Sequence, residues 1–375
     1  MTTIDAPLAI KVPFVDFKRR YSLHRKEILE AVDTVFSSGS YILGGFVEAF
    51  EQAIAEYLDC PYVLGVANGT DAIILGLKAF DIGVGDEVII PVNSFIASAG
   101  AVAAVGATPV FCDVNDDLNI NTDQISSLIT SKTKAIMPVH LTGRPADMQA
   151  IMVLAKQHNL IVIEDAAQSI GASFQGQKTG TIGDMGTFSL HPLKNLFAYG
   201  DAGIITTRNK ELYNKLKLMR NHGLADRDTC VSWGLNSRLD SVQAKLALIG
   251  LKYLDEWTAR RRKTAKLYQD SLSTLLKVPF DNEHSFSVYH NFVALTEQRD
   301  ALMRSLKGKE IETKIHYPIP MHLQPAAASL GYKKGDFPVA EKLTNEMVSL
   351  PICSELNDEQ IRYVIRQIEI FFEER

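Results

Sequence analysis

Cysteine is scarce in this sequence, tryptophan scarcer still, and an apolar run long enough to cross a bilayer is missing. The 375 residues include 4 Cys and 2 Trp. Cys60, Cys112, Cys230 and Cys353 stand far apart and form no CxxC pair. Neither a disulfide framework nor a metal site is therefore expected, and free thiols in a reducing compartment are the default. A membrane helix needs roughly 18–20 consecutive apolar residues, a length no run here reaches. The opening MTTIDAPLAIKVPF lacks the basic start and apolar stretch of a secretory signal. Excess charge of one sign is missing too, since the net charge is only −5. The expectation is a cytoplasmic protein with no nucleic acid and no membrane as partner. No β-rich run leads into a GxGxxG turn with an acidic residue downstream, which excludes the fingerprint of a dinucleotide-dependent dehydrogenase.

What is present is the makeup of an ordinary globular protein, 46% hydrophobic and 22% charged, on a chain long enough for two domains. From about residue 60 to 208, short β-rich runs alternate with segments of helical period. The runs are YVLGVA (62–67), DEVIIPV (86–92), TPVFCDV (108–114), KAIMPVH (134–140), LIVIEDA (160–166), GTFSLH (186–191) and GIITT (203–207). Between the early ones lie TDAIILGLKAF, SFIASAGAVAAV, TDQISSLITS and ADMQAIMVLAKQHN. This alternation predicts an α/β domain with a mostly parallel sheet covered by helices, mixed where the later connections are short.

Beyond Gly234 the character changes. RLDSVQAKLALIGLKYLDEWTARRRKTAKLYQDSL (238–272) keeps apolar residues at helical spacing, with Gly250 as the place for a bend. It predicts one long helix leading out of the first domain. YHNFVALT and TKIHYPI then look like strands, flanked by helices near 298–306, 338–348 and 357–373, which makes a smaller α+β domain. The expected division is a large domain over 1–250, with an N-terminal segment over 1–50 holding a helix near 22–37, and a small C-terminal domain over 251–375.

Four pieces fall where an α/β enzyme builds its site, at the carboxyl ends of strands. In ANGTDAIILGL a strand runs into Asn68-Gly69-Thr70 and at once into a helix. Gly69 lets the backbone come close to a ligand, free N–H groups around Asp71 favour an anion, and Thr70 adds a hydroxyl. In LIVIEDAAQS an apolar run delivers Glu164 and Asp165 to opposite faces of the sheet. A carboxylate leaving a buried strand needs a cationic partner or hydrogen bonds. The protonated pyridine nitrogen of pyridoxal phosphate is such a partner, with Asp165 facing it and Gln168 placed for the ring hydroxyl.

The third piece is GTFSLHPLKNLFAYGDAG. Its strand ends near Ser189, Pro192 stops the ladder, and Lys194 follows in a turn among apolar and aromatic neighbours. An ammonium held there has a lowered pKa and serves as a nucleophile toward an aldehyde. Ser189 is placed to donate to a phosphate. The fourth is VNSFIASAG, where Phe95 follows a strand and is placed to stack on a flat ring, although core packing is the commoner fate of a Phe.

Together these pieces resemble the DegT-type sugar aminotransferases, pyridoxal-phosphate enzymes of the aspartate-aminotransferase fold, fold type I. The likeness runs from VDFKRRY (15–21) to SLPICSELNDEQI (349–361). It is most specific in NGTDA (68–72), PVHLTGRPADM (138–148), EDAAQ (164–168), FSLHPLKNL (188–196), GLNSRLDSVQAKL (234–246) and IHYPIPMHLQ (315–324). The resemblance implies Lys194 as the Schiff-base lysine and proton shuttle, Asp165 on the pyridinium, Gln168 on the ring hydroxyl and Phe95 on the ring face. It implies Thr70, Ser189 and the backbone of Gly69–Asp71 as phosphate ligands, with Asn236 reaching the phosphate of the other subunit in a homodimer. Arg238, His316 and Tyr317 resemble residues that approach the substrate. The implied reaction is ping-pong transfer of an amino group from L-glutamate to a keto sugar, nucleotide-linked by family default, with a free or phosphorylated sugar left open.

Several positions depart from the family pattern: Thr142 where Tyr is frequent, Ile170 where His is, Leu190 and His191 in FSLHP, and Ala202 where Gly is usual. They bear on the sugar rather than on transamination. Related sugar dehydratases replace the lysine with His, so an intact Lys194 favours transamination. A regulatory member without activity would be expected to have lost Lys194 or Asp165, and both are present.

Overall fold

The computed structural model describes residues 10–374. Residues 1–9, with much of the stretch read for a secretory signal, lie outside the described residues. Nine strands come first in the chain: β1 (Tyr62–Val66), β2 (Glu87–Pro91), β3 (Thr108–Cys112), β4 (Thr133–Ile136), β5 (Ile161–Asp165), β6 (Ser173–Phe174), β7 (Gln177–Lys178), β8 (Met185–Ser189) and β9 (Gly203–Thr207). Three follow late, β10 (Ser285–Phe286), β11 (Phe292–Leu295) and β12 (Met347–Leu350). The helices are α1 (Phe17–Ser38), α2 (Gly45–Leu58), α3 (Gly69–Ala79), α4 (Ile96–Ala104), α5 (Thr122–Leu128), α6 (Met148–His158), α7 (Lys210–Met219), α8 (Ser241–Leu272), α9 (Arg299–Gly308), α10 (Pro338–Glu346) and α11 (Asp358–Glu373).

Each of the seven β-rich runs supplies one strand of a seven-stranded sheet, in the order β1-β9-β8-β5-β4-β2-β3. The five strands from β8 to β3 are parallel, whereas β9 runs antiparallel to both β8 and β1. The sheet is mixed where the connections shorten, because a β8–β9 link without a helix cannot return the chain for a parallel partner. Val88, Ile89, Ile90, Val162 and Ile163 are fully buried, as strands covered on both faces require. Glycine decides how closely β9 meets the first helix. A Cβ on Gly203 would lie 2.4 Å from the backbone of Asn68, so only glycine lets that strand pass beneath the start of α3.

The long helix is continuous from Ser241 to Leu272 and serves three apolar clusters, one of them with α1, where Leu246 and Ile249 pack with Ile28 and Ala31. Ala244, Ala247 and Leu254 pack with Phe188, Leu190 and Leu196 beside the sheet. Ala265, Tyr268 and Leu272 pack with Phe292, Leu302, Val348 and Ile361. The boundary expected after residue 250 therefore falls inside one helix. Three expectations need correction. TKIHYPI forms no strand. Lys314 exchanges hydrogen bonds with Ser349 at an isolated bridge, and the run then meets Pro318 and Pro320, which have no N–H to extend a ladder. The helix expected over 338–348 stops at Glu346, and Met347 starts β12 opposite β11. The first helix begins at Phe17 rather than near 22, capped by Asp16, whose carboxylate accepts from the Arg19 N–H at 2.9 Å.

Among the described residues all four cysteines are free, with only Cys230 exposed. No group of three or more His, Cys, Asp or Glu side chains among them could hold a metal ion. No helix among the described residues is long and apolar enough to cross a membrane.

Candidate active site

The site is built from the carboxyl ends of β1, β5 and β8, with one wall from the segment after α9. Glu164 and Asp165 end β5 and point to opposite faces, with opposite consequences. Glu164 is fully buried. Its Oε1 accepts from the N–H groups of Ile182 and Gly183 at 2.7 Å each, and its Oε2 from Gly180 N–H at 2.8 Å. The Nε2 of His140 lies 2.9 Å from Oε2. Because His140 Nδ1 accepts from Ala146 N–H at 3.0 Å, its proton sits on Nε2 and donates to Glu164. A buried carboxylate costs several kcal/mol unless fully bonded, and Glu164 is fully bonded, so it fixes the 180–183 loop.

Asp165 is bonded more sparsely. Its Oδ2 accepts from the Ser98 hydroxyl at 2.9 Å and its Oδ1 from Ala167 N–H at 3.2 Å. Burial raises its pKa above the usual carboxylate value, opposed by those two donors and by the Lys194 charge. Such a carboxylate fits a cationic ligand group that would restore its ordinary charge.

Lys194 stands in the turn that leaves β8, its N–H bonded to His191 O at 2.8 Å. Burial pulls its amine down to about 8, with Asp165 acting in the other direction. His191, His290 and His316 surround it. Burial holds each below the ordinary imidazole value and the Lys194 charge adds to the effect, taking His316 to about 4. Neutral imidazoles leave Asp165 as the charge that favours the Lys194 ammonium.

The mouth of the site is aromatic and polar. Phe95 caps the start of α4 with 51% of its surface exposed, and its ring centroid lies 5.4 Å from that of Tyr317. Gln168 joins two segments across the cleft. Its Oε1 accepts from Thr142 N–H at 2.7 Å and its Nε2 donates to the Tyr317 hydroxyl at 3.2 Å. One amide hydrogen of Gln168 is left for a ligand. Burial is the first cause that lifts the Tyr317 phenol to about 12, and the Asp165 charge adds to it. His316 is tethered to Ser349 Oγ at 2.8 Å.

At the other end of the cleft the α3 N-terminus abuts β8. Asn68 caps the helix, accepting from Asp71 N–H at 2.8 Å. The N–H groups of Gly69 and Thr70 in the first turn have no partner inside the helix. A Cβ on Gly69 would fall 2.9 Å from Ser189 Cβ, so this close approach of backbone to Ser189 depends on glycine. Asn236 and Arg238 belong to another segment. Ser237 Oγ accepts from Ala67 N–H at 3.2 Å, Arg238 donates to Asn221 Oδ1 at 3.2 Å, and Asn236 is exposed. Lys194, Asp165, Phe95, Gln168, His316 and Tyr317 thus converge, and Gly69, Thr70 and Ser189 form the anion-ready end, where the Asp71 N–H is already taken by Asn68. Beyond β1, Asn236 is exposed and Arg238 half-buried. Ser98 and the His140–Glu164 pair were missed by sequence reasoning. For Ser98 the available signal was its place three residues after Phe95, on the same side of α4.

An anion-ready helix start, a buried carboxylate short of cationic partners, and a depressed lysine amine make one consistent set. They match in kind the phosphate, ring nitrogen and aldehyde of pyridoxal phosphate. Comparison with known proteins agrees. Residues 23–369 match the DegT/DnrJ/EryC1/StrS aminotransferase family, and the chain belongs to that family. A dTDP-3-amino-3,6-dideoxy-alpha-D-galactopyranose transaminase of Aneurinibacillus thermoaerophilus is 42% identical over 360 residues, 95% of this chain and 98% of that protein. A protein of Geobacillus stearothermophilus named a pleiotropic regulatory protein is 42% identical over 368 residues, covering 97% of this chain and 99% of that one. The crystal structure of DesV from S. venezuelae in complex with a ketimine intermediate superposes with a TM-score of 0.95 at 39% identity, covering 97% of this chain and 99% of that chain.

Proposed function

We propose that this chain is a pyridoxal-phosphate-dependent sugar aminotransferase that moves an amino group from L-glutamate to a nucleotide-linked keto sugar. The observation that carries this reading is the pairing of a depressed Lys194 amine with a sparsely bonded Asp165 on one face of the strand ends. Bound pyridoxal phosphate supplies an aldehyde for a lysine and a ring that holds the negative charge left when a C–H proton departs. The chain's own residues do the rest. Asp165, steadied by Ser98 and Ala167, keeps a proton on the ring nitrogen. The N–H groups of Gly69 and Thr70 and the hydroxyls of Thr70 and Ser189 would hold the phosphate, and Phe95 would cover one ring face.

Lys194, unprotonated, would be the amine that holds the cofactor through its aldehyde carbon, with the aldehyde oxygen leaving as water. Once displaced by the amine of glutamate, Lys194 would be free to take and return a proton at the reacting carbons. A positioned acid–base group of this type contributes roughly 10²–10⁴-fold. In a ping-pong order the same residues would serve both halves of the reaction, glutamate first and the keto sugar second. Gln168 holds the ring hydroxyl with its remaining N–H, while His316, Tyr317 and Arg238 meet the sugar and its attached groups. Thr142, whose N–H is tied to Gln168, lies at the sugar side.

Asn236, exposed beyond β1, reaches the phosphate of a second copy, so that the working unit is a cytoplasmic homodimer. Two of the apolar clusters served by α8, the one beside the sheet and the one around β11 and β12, correspond to two domains that meet within that helix. The regulatory name carried by the Geobacillus relative does not favour a silent sensor here, because Lys194 and Asp165 are both in place. A keto sugar without a nucleotide is the alternative substrate, and it changes none of these steps.

The test is the absorbance of the purified, cofactor-loaded protein before and after L-glutamate alone. Loss of the visible band supports the donor half of the reaction. A visible band that ignores glutamate removes glutamate from the proposal, and no visible band after added pyridoxal phosphate removes the cofactor assignment. A panel of keto sugars with and without a nucleotide then separates the two substrate classes.

A further inference from the structure

The segment VDFKRRY supplies none of the groups assigned to cofactor or substrate, yet one of its side chains reaches the turn that bears Lys194. Arg20, in α1, is only 3% exposed. Its Nη1 donates to the carbonyl of Pro192 at 2.7 Å and its Nε to Glu355 Oε1 at 2.5 Å. The flat guanidinium lies 4.1 Å from the centre of the Phe197 ring. Phe197 in turn stacks on Trp257 of α8, with centroids 5.4 Å apart and planes 15° from parallel. One buried cation therefore grips the chain on both sides of Lys194, by a backbone oxygen two residues before it and an aromatic face three residues after it.

Within the turn, Ala198 N–H joins Leu190 O at 2.7 Å, Lys194 N–H bonds His191 O and Leu193 N–H bonds His191 Nδ1, while the Asn195 side chain ties to Val288 O at 3.1 Å and to His290 Nδ1 at 3.2 Å. None of these holds residues 192 or 197, the two that Arg20 meets. Pro192 has no N–H, so it adds no donor to that set. The arrangement demands arginine chemistry. A guanidinium presents several donors in one plane and an open face, whereas an ammonium is a point charge that cannot serve a carboxylate, a carbonyl and a ring at once. Glu355 balances the charge and anchors the group to the loop before α11.

We propose that Arg20 is a positioning residue for Lys194, holding residues 192–197 so that the amine stays aligned with the cofactor aldehyde and the proton it carries. This rests on Lys194 being the cofactor lysine. The alternative is that Arg20 only pins α1 to the Glu355 loop as part of the fold.

The experiment uses the cofactor-loaded full chain. Borohydride reduction and peptide mapping come first, because cofactor fixed on a different lysine would sink the reading of the site itself, and Arg20 with it. Arg20→Lys is then compared with wild type at equal cofactor occupancy. It is expected to lower kcat by about tenfold to a hundredfold, the scale of a misplacement near 1 Å, with KM for L-glutamate little changed. The pH midpoint of the visible band should shift. In the cofactor-free protein, amide exchange across 190–199 should quicken while α11 keeps its protection.

Wild-type kcat and band midpoint in Arg20→Lys, at whatever cost in melting temperature, overturn the proposal in favour of a purely structural ion pair. Should Arg20→Lys fail to fold, Phe197→Leu leaves the Arg20–Glu355 pair intact and removes only the ring. The band midpoint should move there too, and an unmoved midpoint refutes the idea.

Discussion

If Lys194 is set at about 8 by burial, its nucleophilic form is already abundant at neutral pH. At pH 7 roughly one Lys194 amine in ten is unprotonated, against about one in 2,500 for a solvated lysine near 10.4. The site therefore holds some two-hundred-fold more reactive amine than the surface average, about 3 kcal/mol of proton affinity expressed as chemistry. Asp165 acts in the opposite sense by favouring the ammonium, so Asp165→Asn should move the midpoint lower, not higher. The assay is a brief pulse of acetic anhydride on cofactor-free protein across a pH series, read by the mass of the Lys194 peptide against other lysine peptides. Labelling should reach half its plateau near pH 8 in wild type and below it in Asp165→Asn. A midpoint near the ordinary lysine value, or an upward shift in the mutant, refutes the reasoning. The linkage has a definite sign. A native lysine that sheds its proton earlier than the unfolded chain binds fewer protons between about pH 8 and 10.4, so the residue's destabilising effect is complete below that window and disappears above it.

Two further perturbations follow from the geometry. Glu164→Gln puts an amide where every neighbour is a donor, leaving at least one of Gly180, Ile182 and Gly183 or His140 unpaired. A loss of about 3–5 kcal/mol in the unfolding of cofactor-free protein is expected, and a loss under about 1 kcal/mol shows that the 180–183 loop does not depend on the carboxylate. Asn236→Ala should weaken cofactor retention by about tenfold, the value of one lost hydrogen bond to a charged group. Equilibrium dialysis measures it, and unchanged affinity argues against a ligand supplied by a second copy.

The sheet was legible because its strands are continuous apolar runs, a pattern that tolerates errors of a residue at each end. Lys194 and Asp165 were legible for a related reason, since Asp165 ends one such run and Lys194 lies in the turn beyond another. The misses share a cause as well. MVSL at 347–350 continues the helical spacing of the preceding residues, with Met347 and Leu350 three apart, and only the partner strand β11 draws it into a sheet. The start of α1 was placed late because Phe17 and Tyr21 are exposed, so the first turn carries no buried stripe. Arg20 meets Pro192 across 172 positions of chain, a pairing that no local pattern encodes. Ser98 and the Gln168–Tyr317 bridge are likewise products of tertiary packing.

The stack of Phe197 on Trp257 has an optical consequence. The chain contains 2 Trp, and the other, Trp233, is 93% exposed. Trp233 emission should therefore be red and open to iodide, whereas Trp257 sits in a half-buried aromatic pile with Phe197 and Tyr253. After Trp233→Phe, the remaining fluorescence comes from a ring seated on the turn that carries the reactive lysine. Its wavelength and lifetime then follow the order of that turn in real time, with no label attached and no substrate in hand.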